Sequence, residues 1–176
     1  MKSTYSQSGQ DLYVLEKLNN KTNGVYIEIG AGHPETYSNT LLLEKKGWYG
    51  LSFDINDVDN FSNIRKNKLI LEDCRYFNFK KYFEDVKLPK HIDYISFDID
   101  EMTLDCLKIF PLDTYQISVI TIEHNEYLYT QGIFDYPCPK NEIRAILQSR
   151  GYILDKPDIK HDGLNYEDWF ISSDIQ

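Results

Sequence analysis

Carboxylates recur in this chain directly after short apolar runs. Glu28-Ile29-Gly30-Ala31-Gly32 sits on the end of the first run, Asp54 ends the second and Asp73-Cys74 follows the third. Asp98-Ile99-Asp100-Glu101 follows the fourth and Glu123-His124-Asn125 the fifth. The paired glycines let a backbone approach a ligand without a Cβ in the way, although a plain tight turn uses the same residues. A dinucleotide fingerprint would place a third glycine where Glu35 stands. A pyrophosphate would be repelled by Glu28 and Glu35. A ligand with an ammonium group, such as the amino-acid end of S-adenosylmethionine, would tolerate them. Asp54 is placed to accept ribose hydroxyls, or to cap a helix. Asp73, with a backbone N–H beside it at Cys74, is placed to receive an adenine, or is a solvated loop aspartate.

The later two clusters bring four carboxylates, His124 and Asn125 toward one rim. Like charges so close repel unless a proton, a cation or a positive ligand intervenes. A hard ion such as Mg²⁺ would take Asp98, Glu123 and Asn125 as oxygen ligands. Helix capping by the carboxylates, with His124 as a structural hydrogen-bond partner, is the plainer alternative.

These clusters need a scaffold that brings strand ends together. Val25–Ile29, Tyr49–Phe53, Lys68–Leu71, Ile92–Phe97 and Ile117–Ile122 are short and rich in Ile, Val, Tyr and Phe. Near-continuous apolar runs of this kind suit strands covered on both faces. Between them the pattern predicts helices over about Ser38–Lys46, Val58–Lys66, Phe77–Val86 and Thr103–Phe110. An opening helix is expected over Gln10–Leu18 and a late one over Lys140–Arg150. Gly47 and Gly151 stand where C-terminal glycines belong. Tyr152–Leu154 and Asp168–Ser172 are strand candidates that could pair antiparallel across the polar stretch Asp155–Glu167. The expected fold is α/β: one doubly wound, Rossmann-like, mostly parallel sheet with an antiparallel C-terminal edge. In such a sheet ligands bind beyond the carboxyl ends of the strands, where all five clusters lie.

One domain of 176 residues accommodates this sheet. A net charge of -9 argues against nucleic acid and anionic membrane as partners. Cys74, Cys106 and Cys138 form no C-x-x-C pair, which fits a reducing compartment. With a polar N-terminus and no membrane-length apolar run, a cytoplasmic location is expected. The 14 tyrosines exceed what a minimal core needs, so some are expected to line a pocket.

The chain resembles the FkbM-type methyltransferases. The matching stretches run from Tyr5-Ser6-Gln7-Ser8-Gly9-Gln10-Asp11 through Gly24–Gly32, Ser38-Asn39-Thr40 and Leu43-Glu44 to Gly47-Trp48-Tyr49-Gly50. They continue through Ile92–Asp98, Ile122-Glu123-His124-Asn125 and Asp168-Trp169-Phe170. The resemblance implies a class I methyltransferase fold, S-adenosylmethionine as donor and O-methylation of a sugar or small natural product. By position it implies that Glu28, Gly30, Ala31 and Gly32 hold the methionine end, with Asn39 and Asp98 nearby, Asp54 the ribose, and Asp73 with Cys74 the adenine. Gln7, Gln10 and Asp11 would belong to an N-terminal lid. Family members commonly read Asp-x-Glu-Gly where this chain has Asp98-Ile99-Asp100-Glu101, which puts the role of Asp100 in question.

An alcohol must lose its proton as it attacks a methyl group. His124 is the first candidate for general base because its ordinary pKa lies near neutrality; Glu123 is the second, and Asp98 the third member of the group. Residues 125–139 are aromatic-rich and broken by Gly132 and two prolines. They read as a substrate lid carrying Tyr127, Tyr129, Phe134 and Tyr136, or as a satellite apolar cluster. His33 and Asp100 are further candidate acceptor contacts. The competing readings are a nucleotide-dependent oxidoreductase, disfavoured by Glu28 and the missing glycine, and a degenerate methyltransferase fold acting as a cofactor- or partner-binding module.

Overall fold

The structure is a computed structural model describing residues 4–175. It opens with α1 (Gln10–Lys17), β1 (Val25–Ile29), α2 (Leu41–Lys45) and β2 (Tyr49–Asp54). Next come α3 (Phe61–Ile64), β3 (Lys68–Leu71), α4 (Phe79–Asp85) and β4 (His91–Phe97). The chain continues through α5 (Thr103–Ile109), β5 (Gln116–Glu123), α6 (Glu126–Thr130) and α7 (Lys140–Ser149), and ends on β6 (Tyr152–His161) and β7 (Leu164–Ser172). All seven strands join one sheet in the order β3-β2-β1-β4-β5-β7-β6. The first five are parallel, and β7 runs antiparallel to both β5 and β6. This is the expected α/β plan, with the reversed strand β7 lying just inside the edge strand β6.

Strand alternation sends side chains to two apolar layers. Ile27, Ile29, Phe53, Phe97 and Ile122 pack with Phe79 and Phe83 of α4, Leu107 of α5 and Ile143 of α7. On the other face Tyr26, Tyr94 and Val119 meet Tyr13, Val14 and Leu15 of α1. Two covered faces explain why the parallel strands read as unbroken apolar runs. α2 stops as its sequence predicts. Gly47, at φ +83°, donates its N–H to Glu44 O, while Trp48 N–H reaches back to Leu43 O, a Schellman closure.

Two segments differ from expectation. The helix expected over Val58–Lys66 is a 3₁₀ turn, Val58–Asn60, followed by the short α3, because Asp59 and Asn60 take left-handed backbone. The polar interval Asp155–Glu167 is mostly strand: β6 and β7 turn on Asp162-Gly163, both with positive φ. Two such residues between strands suit a tight hairpin. The β6–β7 register slips at Leu154/Lys156, Lys156/Ile159 and Ile159/Lys160. Among the described residues no helix is long and apolar enough to cross a membrane.

Candidate active site

The strand order reverses between β1 and β4, so their carboxyl ends open a crevice. Its floor is fixed by backbone. Gly30 and Ala31 donate N–H groups to Phe53 O at 2.9 and 3.0 Å, and Asp98 N donates to Ile29 O at 2.8 Å. Gly30 has φ +86°, and a Cβ there would lie 1.7 Å from Asp98 O. No side chain fits.

Above this floor is a cavity of about 540 Å³, of ordinary size for a small-molecule site (roughly 300–1,000 Å³). Gly30, Ala31, Gly32, His33, Asp54, Asp73, Cys74, Asp98 and Asp100 line it, with Gln7, Tyr37, Glu72 and Met102 among the others. Five of these are acids and none is Lys or Arg. The wall therefore favours a cationic ligand over a phosphorylated one. Asp54 accepts the N–H groups of Gly32 and Asn56 at 2.9 and 3.0 Å, which shapes the turn and leaves acceptor capacity on both oxygens. Asp73 pairs with Arg75 at 2.6 Å, and that partner holds its carboxyl below the usual range. His33 accepts the N–H groups of Glu35 and Thr36 through Nδ1 and lies 3.3 Å from Asp59 through Nε2.

Three residues expected on the cofactor are set behind this wall. Glu28 is buried; burial pushes its pKa up to about 7 against the pull of Arg65, Ser52 and Thr40. Asn39 donates to Ser96 Oγ at 3.0 Å and to Asp98 Oδ2 at 3.4 Å. Gln10 donates to Tyr166 Oη at 2.8 Å and Glu167 Oε2 at 2.9 Å. Asp11 faces the N-terminal segment, accepting from Thr4 Oγ1, Tyr5 N and Ser6 Oγ.

A second, smaller cavity of about 120 Å³ is lined by Gln7, Glu123, Asn125, Tyr127, His161, Asp162, Leu164 and Tyr166. Gln7 lines both cavities, and so a single side chain borders the two spaces. Asp98 on the larger cavity and Glu123 on the smaller are hydrogen-bonded to each other. Burial pushes Asp98 up to about 6, with Asp100 adding to the shift and Glu123 opposing it. Glu123 is raised well above the carboxylate range by burial and by the charges of Asp98 and Asp100. Asp100, at φ +51°, donates its N–H to Glu123 Oε2 at 2.8 Å and accepts from Asn125 Nδ2 at 3.3 Å. The glycine absent at 101 costs no backbone strain here: Asp100 carries the positive φ, and Glu101 is exposed.

His124 does not join this group. Consecutive residues leaving a strand point to opposite faces, so Glu123 reaches the smaller cavity while His124 is buried on the other side. Its Nδ1 accepts Glu126 N–H at 3.2 Å and its Nε2 lies 3.6 Å from Asp168 Oδ1. The metal expectation also fails to fit. Asp98 and Glu123 bond to one another, Glu123 Oε2 is engaged by the Asp100 N–H, and the Asn125 amide donates to Asp100. Among the described residues the convergent His, Asp and Glu group is instead His124, Asp158 and Asp168. Arg144 and Lys140 already neutralise it, Arg144 lying 2.7 Å from Asp168 and 2.9 Å from Asp158.

The expected lid is divided. Tyr127 lines the smaller cavity, whereas Tyr129, Phe134 and Tyr136 pack on one another at 5.3–5.5 Å and line neither cavity. The residues missed from sequence are on the hairpin: His161, Asp162, Leu164 and Tyr166. The Asp162-Gly163 pair is the signal that could have found them.

Residues 9–154 match the methyltransferase FkbM domain, and the chain belongs to that family. None of the curated protein sequences matches it. Solved structures share the fold at low identity. The Burkholderia thailandensis 1,6-didemethyltoxoflavin-N1-methyltransferase, with bound 1,6-didemethyltoxoflavin and S-adenosylhomocysteine, is 11% identical with a TM-score of 0.61, over 94% of this chain and 76% of that one. A TehB-like SAM-dependent methyltransferase from Corynebacterium glutamicum is 10% identical, TM-score 0.54, over 93% and 86%. The human methyltransferase 10 domain containing protein is 14% identical, TM-score 0.54, over 98% and 84%.

Proposed function

We propose that this chain transfers a methyl group from S-adenosylmethionine to a hydroxyl oxygen of a sugar or other small molecule. The carrying observation is the Asp98–Glu123 pair, whose members line adjacent cavities of unequal size. The larger cavity suits the cofactor. Its acidic wall matches a sulfonium and an ammonium, and the open space at Gly32, where a Cβ would meet nothing within 4 Å, admits close approach. Asp54 would take the ribose hydroxyls and the Asp73–Cys74 turn the adenine. Glu28 and Asn39 act from behind, setting the charge and position of Asp98. The bound cofactor supplies an electrophilic methyl on a positively charged sulfur.

The smaller cavity would hold the acceptor hydroxyl, with Glu123 beside it. Two hydrogen-bonded acids hold one proton between them near neutrality, leaving an oxygen able to accept another. A hydroxyl held there would pass its proton to this pair as its oxygen takes the methyl group. Alignment of the groups in adjoining spaces supplies the rest of the rate.

Calorimetric titration with S-adenosylhomocysteine, with NAD as control, tests the first half. Transfer of labelled methyl to a panel of sugars, phenols and RNA tests the second. Binding of S-adenosylhomocysteine and label in a hydroxyl compound are expected. Binding without transfer to any acceptor would make the chain a cofactor-binding module, and NAD binding instead would overturn the reading.

A further inference from the structure

The acceptor cavity has a chemical bias of its own. Its wall combines two carboxylates, Glu123 and Asp162, with the Gln7 and Asn125 amides, the His161 imidazole and the Tyr127 and Tyr166 rings. Among the described residues neither Lys nor Arg lines it. The lysine and arginine of α7 are engaged elsewhere: Lys140 with Glu126 and Asp158, Arg144 with Asp158 and Asp168. Recognition of a phosphate or carboxylate depends on such cations. An anion entering here would meet Asp162 and the Asp98–Glu123 pair with no Lys or Arg among the described lining residues to offset them. Hydroxyls, by contrast, find acceptors and donors on several sides.

Size narrows the class further. A cavity of about 120 Å³ holds about four water volumes, so only the edge of a ring enters. The remainder must rest outside it, where aromatic side chains meet edge to face in sequence. Tyr37 and His161 have centroids 5.9 Å apart, and His161 and Tyr166 6.3 Å apart. Ser8 Oγ reaches Lys160 O at 3.3 Å, which ties the segment carrying Gln7 to the hairpin tip.

We infer that the β6–β7 hairpin tip, through His161, Asp162 and Tyr166, selects an acceptor that is an uncharged or amine-bearing polyhydroxyl ring and rejects phosphorylated ones. This rests on the reading of the smaller cavity as the acceptor site. It goes further in assigning the filter to a hairpin that closes the chain. Rejection comes from Asp162 and from the lack of a lining Lys or Arg among the described residues, and acceptance from amides, imidazole and phenol.

The test uses the His161 imidazole as a reporter. In the full chain its proton resonance, assigned with a His161→Gln variant, is followed by NMR in protein saturated with S-adenosylhomocysteine. Methyl α-glucoside, glucosamine, glucose 6-phosphate and a short RNA are titrated in turn. The expected result is a saturable shift with methyl α-glucoside or glucosamine and none with the phosphate or RNA. Leu164→Trp, which fills the cavity from the strand start, should abolish that shift and leave S-adenosylhomocysteine binding intact. An equal or larger shift with glucose 6-phosphate or RNA overturns the inference, and so does the absence of a shift with every probe. Cofactor binding is read separately, so a chain that binds the ring but not S-adenosylhomocysteine would sink the methyltransferase reading and spare this one.

Discussion

Asp98 and Glu123, at the ends of the neighbouring parallel strands β4 and β5, are hydrogen-bonded to each other although both are acids. Such a pair must keep a proton to avoid facing charges in a buried place. Glu123→Gln keeps the shape and removes the member of the pair that borders the smaller cavity, so a hydroxyl there can no longer pass its proton to the pair. Methyl transfer should fall by about 10²-fold or more, with S-adenosylhomocysteine affinity nearly unchanged. In the unaltered chain kcat should decline as pH drops through about 6, where Asp98 takes up a second proton for the pair. A flat kcat profile between pH 5 and 8, or an active Glu123→Gln variant, would exclude the pair as the base.

The crevice floor makes a sharper contrast between two glycines. At Gly30 a methyl group would collide with the Asp98 carbonyl at 1.7 Å; at Gly32 it would meet nothing within 4 Å. Both have positive φ, so either alanine costs about 1–2 kcal/mol of backbone strain. Gly30→Ala adds a clash that only a shift of β1 against β4 relieves, typically another 1–3 kcal/mol. Thermal unfolding should therefore show a clearly lower Tm for Gly30→Ala than for Gly32→Ala. S-adenosylhomocysteine affinity should fall with it. Equal Tm values would contradict the backbone packing described.

Buried acids also set the pH dependence of stability. Burial raises Glu28 to about 7 and Glu167 to about 8, whereas an unfolded glutamate titrates at about 4.3. The folded chain thus holds these protons where the unfolded chain has released them. Their contribution is fully present below the unfolded value and is lost as pH rises through the folded one. Denaturant unfolding should show stability declining from about pH 5 toward pH 8. Glu167→Gln, which stays able to bond Gln10 and Trp169, should flatten the upper part of that decline. An unchanged slope would show that Glu167 ionises without cost.

On the opposite face of the sheet the sign reverses. Hydrogen bonds from Arg144 and the Asp158 N–H overcome burial and hold Asp168 far below the usual range. Its contribution is present above the unfolded value of about 3.9 and is lost as pH falls. Arg144→Met leaves a buried, uncompensated carboxylate and should cost about 3–5 kcal/mol in urea unfolding.

His124→Gln should lower stability by about 1–3 kcal/mol and leave the pH profile of turnover in place. Loss of turnover at full stability would return His124 to the chemistry.

The strands and the positions of Gly30, Asp54, Asp73 and Asp98 were legible because parallel strands buried on both faces write themselves as apolar runs, with the site at their ends. Of the two roles the sequence offers for His124, the structure favours the structural one, because adjacency to Glu123 along the chain does not carry across a strand, where neighbours face apart. The hairpin was hidden for another reason. β6 is an edge strand with mixed exposure and three register slips, so its residues neither alternate cleanly nor form an apolar run. α3 was overextended because nothing in helix periodicity anticipates left-handed backbone at Asp59 and Asn60.

Those slips along β6 matter beyond the hairpin. A regular outer strand offers its free N–H and C=O groups as a template for another chain. β6 carries Pro157, which lacks the donor, and Lys156 and Lys160, whose charges oppose stacking of like copies. At the far edge β3 spans only Lys68–Leu71. Both margins of the seven-stranded sheet are thereby blunted against strand-to-strand aggregation, by irregularity on one side and brevity on the other.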